Sequence, residues 1–167
     1  GYAVKNSKIN YDNREVIGDS LYFDNNKNFA SATNNIKVTD TLNNSIITGH
    51  YAEVYKQKDS VFITKRALAV TVQEKDSIYI HADRIMVTGK PDNRVARAYN
   101  NAKIYKTDLS GKADSIYSNQ KTGLTKLINI SKGNSDAFSK KKKPILWNID
   151  NQITGDTIHL QSNTVKE

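Results

Sequence analysis

PILWNIDNQITGDTIHL, residues 144–160, sets two short apolar runs on either side of a polar turn. Ile145, Leu146 and Trp147 form the first run, and residues 153–160 form the second, with Asn148 to Gln152 between them. Alternation of apolar and polar residues over a few positions is the pattern of a strand with one buried face. The second run places Gly155-Asp156-Thr157 ahead of Ile158 and Leu160, and weaker versions of that half recur upstream. They are Asp19-Ser20-Leu21, Asp59-Ser60-Val61, Asp76-Ser77-Ile78 and Asp114-Ser115-Ile116, with successive spacings of 40, 17, 38 and, to Asp156, 42 residues. Asp and Ser or Thr can bond backbone groups where a strand begins, while apolar residues two apart face one side. A second shared pattern, an Asn-Asn turn leading into a strand, appears at Asn34-Asn35-Ile36-Lys37-Val38 and Asn100-Asn101-Ala102-Lys103-Ile104. Spacing of about 40 residues implies layers of two to four strands, each stacked on the next.

Working outward from this stretch, runs of similar length fill residues 16–72, 76–105 and 113–130, bounded by Asn, Asp, Gly or Lys. That is the signature of strands and turns. Residues 1–15 are polar and weakly patterned, and imply an opening strand or a frayed end. Residues 131–143 break the rhythm and read as an extended loop within a single domain covering 1–167. No segment sustains helical apolar spacing over three turns, so helix content is expected to be small.

Composition narrows the function. Only 37% of the 167 residues are hydrophobic, and mean hydropathy is -0.65, which suits thin sheets better than a thick enzyme core. With no cysteine, disulfides, zinc-thiolate sites and thiol nucleophiles are excluded. No run reaches the roughly 18 apolar residues of a membrane helix. No signal-peptide pattern is visible, and a start at Gly1-Tyr2 without Met leaves a removed targeting segment open. A net charge of +8 favours anionic partners.

No catalytic constellation emerges, and no cofactor is expected. His81 and Asp83 form a His-x-Asp pair, but such a pair on an exposed strand face is ordinarily solvated surface, so no metal is expected. The serines lack an elbow and a partnered base. Lys140, Lys141, Lys142 and Lys143 fit either a solvated loop or an anion contact. Tyrosines beside lysines, as at Tyr55-Lys56 and Tyr105-Lys106, would suit a single-stranded nucleic-acid platform. No RNP-like or OB-type Gly/aromatic signature is present, and no nucleic-acid partner is expected. The apolar stripe fits either a dry core, as in a structural β-solenoid or adhesin-like repeat, or an open groove able to hold acyl chains.

Taken together, residues 76–83, the segment Ala98 to Tyr105, Gly111 to Ile116 and the opening stretch resemble the OstA-like proteins, the family of the lipopolysaccharide-transport protein LptA and the N-terminal domain of LptD. The match is clearest over 76–160 and generic over 16–72. The resemblance implies an all-β, antiparallel β-jellyroll, a sheet folded into a V with an apolar groove, located in the periplasm. It implies lipopolysaccharide as ligand, with lipid A acyl chains in the groove and phosphorylated sugars at the rim. Other lipopolysaccharide-transport proteins, and further copies head to tail, would join through edge strands. The residues it assigns to the groove are Leu21, Phe23, Ile36, Val38, Ile78, Ile80, Ile104, Ile116, Ile145, Trp147, Ile158 and Leu160. The 131–143 loop departs from the tight turn usual before the Pro-apolar-apolar-Trp element.

Overall fold

The computed structural model describes residues 2–11, 13–73, 76–129, 143–148 and 150–161. They form twelve strands: β1 (Tyr2–Tyr11), β2 (Arg14–Asp24), β3 (Phe29–Asp40), β4 (Ser45–Tyr55), β5 (Ser60–Gln73), β6 (Asp76–Thr88), β7 (Val95–Lys106), β8 (Leu109–Asn119), β9 (Leu124–Ile128), β10 (Ile145–Asn148), β11 (Gln152–Thr154) and β12 (Thr157–Gln161). The one helical element among the described residues is a single 3-10 turn, Lys56–Lys58.

Strands β1 to β8 form an antiparallel meander. The free side of β8 is then shared, with β9 on its second half and β10 on its first. β12 pairs with β9, and β11 with β10. Two broken rungs thus complete the sheet, which has β1 at one end and β11 and β12 at the other and does not close into a barrel. Consecutive antiparallel pairing rules out a solenoid, whose coils would stack in parallel. The expected loop at 131–143 lies, apart from Lys143, outside the described residues.

The strands are about twice as long as their sequence pattern suggests, because several apparent turns lie inside them. Asn34 and Asn35 sit within β3, Asn100 and Asn101 within β7, and Lys65 and Arg66 within β5, all in the left-handed region, with φ between 50° and 63°. Asn enters that region with little penalty and bends the strand without ending it. Pairing skips at these points and resumes beyond them, for example between Thr33 and Ile36 against β4. The facing strands carry a small residue followed by Asp or His: Gly18-Asp19, Gly49-His50, Ala82-Asp83 and Ala113-Asp114, with Gly155-Asp156 between β11 and β12. The first four pairs recur every 31 to 33 residues. The repeat is therefore a hairpin of two kinked strands, and the spacing of about 40 taken from the Asp-Ser units is corrected. Asp19 and Asp114 sit in mid-strand, whereas Asp59 precedes β5 and Asp76 begins β6.

The kinks align into a line that folds the sheet into two leaves. Outside the line, Asn35 Nδ2 donates to Asp19 Oδ2 at 2.7 Å and Asn101 Nδ2 to Asp83 Oδ2 at 3.2 Å. Inside it, small residues let the leaves converge. A Cβ on Gly49 would lie 2.4 Å from Ile63 Cγ2 and 2.9 Å from the Thr64 carbonyl oxygen. Inward side chains then form cross-strand rows. On the first leaf the row includes Val16, Val38, Ile47, Ile80, Ile104 and Leu146. On the second it includes Leu21, Ala32, Ile63, Ile85, Ile116, Leu127 and Ile158. All are buried, and they form one continuous core.

Candidate functional site

Away from the kink line the leaves separate around a cavity of about 260 Å³. Val38, Ile47, Ala69, Ile78 and Ile80 reach it from the first leaf, and Val61, Val87 and Ala96 from the second. The small side chains Ala69, between Ile47 and Ile80, and Ala96, between Val87 and Ser118, leave this space unfilled.

Polar groups close the far side, where the free ends of the leaves meet. Arg94, in the β6–β7 turn, sets its Nε 2.5 Å from Asp40 Oδ2 at the end of β3, with side chains only 2% and 9% exposed. Arg94 Nη1 also donates to its own turn at the Gly89 carbonyl, 3.1 Å away. Asn43 Nδ2 donates to Asp40 Oδ2 at 2.9 Å and reaches the Pro91 carbonyl at 3.2 Å. Gln120, in the β8–β9 turn, donates from Nε2 to Ser45 Oγ at 3.2 Å and from its backbone N–H to the Arg94 carbonyl at 3.0 Å. Ser45 Oγ lies 3.2 Å from Thr71 Oγ1. Arg14, also buried, lines the cavity beside Asp40. These contacts make a clasp across the mouth of a mainly apolar space, whose lining also includes Ser118, Asn119 and Thr125.

Ten of the twelve assigned groove residues face inward, in three different settings. Val38, Ile78 and Ile80 line the cavity. Leu21, Ile36, Ile104, Ile116 and Ile158 are buried in the packed core, and Phe23 and Leu160 pack against its margin. Ile145 and Trp147 are corrected: their cross-strand partners are the outward Lys112 and Ser110, and Lys112 Nζ lies 5.6 Å from the Trp147 ring centroid. Leu146, 4% exposed and opposite Gly111, takes the inward position. A run of three apolar residues hides its parity, which only the register resolves.

The sequence pattern does not disclose the clasp as a whole, yet part of it is legible. Arg14 precedes Val16 by two and Asp40 follows Val38 by two, so both charges fall at inward parity. A charge at such a position needs a buried partner. Arg94 follows a Gly-Lys-Pro-Asp-Asn turn and carries no such signal. His81 and Asp83 flank the kink on the outer side, and no cluster of metal-ligating side chains occurs among the described residues.

No protein-family model matches the chain, and no curated protein is similar to it in sequence. Among solved structures, the chain is similar to LptH from Pseudomonas aeruginosa, described as the LptA-homologous periplasmic component of the conserved lipopolysaccharide transport device. The TM-score is 0.63 at 14% identity, covering 74% of this chain and 87% of that one. The fold is thus the LptA-like β-jellyroll.

Proposed function

We propose that this chain is a non-catalytic carrier of lipopolysaccharide in the periplasm, holding lipid A acyl chains between its two leaves. One observation carries the reading: within an LptA-like fold, the inward face is packed along the kink line but opens into an apolar cavity with a polar mouth. A cavity of about 260 Å³ falls just under the roughly 300–1,000 Å³ of small-molecule pockets. A lipid with several acyl chains needs more room than that, so loading requires the leaf ends to part. The polar clasp suits this, because separated Arg94, Asp40, Asn43 and Gln120 can all be solvated. Apolar groups at the same place would resist exposure.

Edges left unpaired among the described residues, on β1 at one end and on β11 and β12 at the other, are the natural docking points for other transport proteins or for further copies head to tail, since an open edge presents unused backbone donors and acceptors. The test is photo-crosslinking with p-benzoylphenylalanine at Ile78 or Ile80, compared with Trp147 on the outside. Capture of lipopolysaccharide at the inward pair and not at Trp147 is expected. Absence of capture at both inward positions in folded protein would overturn the reading.

A further inference from the structure

The outer face of the first leaf carries a pattern that neither the core nor the cavity explains. One cross-strand row runs Lys8, Ile17, Lys37, Thr48, Leu68, His81, Lys103, Lys112, Ile145 and Thr154. It crosses ten strands, a length of about 40 Å at the usual strand spacing, and contains no carboxylate. On one side the adjacent row holds Glu15, Val70, Tyr79, Tyr105 and Trp147, with Glu15 paired to Lys8 at 2.8 Å; on the other, at the kink line, stand Asp19, His50, Asp83 and Asp114, of which Asp19 and Asp83 accept hydrogen bonds from Asn35 and Asn101.

Two features of this face run against stability. Lys103 stands directly opposite Lys112, and among the described residues neither has a carboxylate within ion-pair distance. Like charges in that relation repel. Beside them, Tyr79 and Tyr105 form a cross-strand pair left 43% and 47% exposed. Lys112 lies against the outward Trp147 ring, much as on the second leaf Arg84 lies against Phe62 and Tyr99, and Arg97 and Lys126 against Tyr117, whereas Lys103 has no such ring among the described residues.

We propose that this outer face is a peripheral docking surface for an anionic lipid bilayer. Lys103 and Lys112, with no carboxylate within ion-pair distance, meet the negative surface potential, and Tyr79, Tyr105 and Trp147 supply rings suited to the headgroup boundary, apolar in body and polar at the tip. An acidic protein would answer the lysines alone. It would not account for the exposed Tyr79 and Tyr105 pair standing beside them on the same strands. The face is separate from the cavity, so the carrier could lie against a membrane while its groove remains free.

Vesicle flotation tests this, using phosphatidylcholine alone and phosphatidylcholine mixed with phosphatidylglycerol. The wild-type chain is expected to float with the anionic vesicles only, and less so at high salt. Lys103→Glu with Lys112→Glu should weaken that binding by roughly tenfold or more. Lys58→Glu with Lys121→Glu, equal in charge change but off this face, should leave it unchanged. Tyr79→Ser with Tyr105→Ser should weaken it at constant charge. Equal losses in the two lysine pairs would reduce the effect to net charge and overturn the proposal. So would equal binding to neutral vesicles, no flotation at all, or binding of polyglutamate in its place. Crosslinking of detergent-dispersed lipopolysaccharide at Ile78 should survive in the Lys103→Glu, Lys112→Glu protein, so failure of the carrier reading and failure of this one give different results.

Discussion

The two margins of the folded sheet close the same space by opposite means. Along the kink line, Gly18, Gly49, Ala82 and Ala113 bring the leaves together, and the nearest neighbours of the two glycines are apolar side chains or backbone. At the free ends, the leaves meet through Arg94, Asp40, Asn43, Ser45 and Gln120. Separating the first margin would expose apolar surface at a cost of about 25 cal/mol per Å². Separating the second exchanges hydrogen bonds and an ion pair for water, and the net value of such contacts is small. The difference makes one margin a hinge and the other a latch.

The largest effect is expected at the hinge. Gly49→Val puts atoms where Ile63 and the Thr64 carbonyl already lie, and should cost about 3 kcal/mol or more in urea unfolding. A neutral result would mean that the leaves are not tightly joined there. The latch should respond less. Removing one partner of a buried ion pair ordinarily costs about 3–5 kcal/mol, but at a margin that can open, the stranded Asp40 can take up water. Arg94→Met is therefore expected to cost only about 1–2 kcal/mol, with faster amide exchange in residues 40–45 and 89–94. A loss in the full range for a buried pair would show that the margin cannot open.

Smaller effects separate the kinks from each other. Lys65 and Arg66 occupy the left-handed region at φ 59° and 62°, where Asn stands in the equivalent positions of β3 and β7. Arg66→Asn should stabilise the chain by about 1 kcal/mol, measured as a shift in the thermal midpoint. The smallest expected effect lies on the outer face of the second leaf. Glu53 accepts hydrogen bonds from Tyr51 at 2.8 Å and Tyr55 at 2.6 Å. The bond to Glu53 is the main cause that pushes the Tyr51 hydroxyl up to about 12. Because the folded value is raised, the contact stabilises the fold below the ordinary tyrosine range and loses that contribution as pH climbs toward about 12. Glu53→Gln should bring Tyr51 ionisation, followed by ultraviolet absorbance, back toward the ordinary value.

What the sequence reveals depends on whether a feature is local. Alternation at Asp76 to Ala82 identifies a strand and its inward face without further information, and the same holds for Leu21, Ile36 and Ile116. The kinks deceive because Asn-Asn has the chemistry of a turn, and only pairing on both sides shows that β3 and β7 continue through it. Parity fails in Ile145-Leu146-Trp147 because consecutive apolar residues fit either register, and the pairing with β8 decides. The latch joins residues 54 positions apart, Asp40 and Arg94, and depends on folding the sheet over, which no local pattern encodes.

The central claim is that a lipid reaches the cavity by opening the clasp. The chain has no cysteine, so Asn43→Cys with Pro91→Cys can be bridged selectively by a short bismaleimide carrying a reducible disulfide. Loading is then followed as lipopolysaccharide captured by a photo-crosslinker at Ile78. The bridged protein should capture little or none, and reduction should restore capture to the level of the unbridged control. Equal capture before and after reduction would contradict the claim.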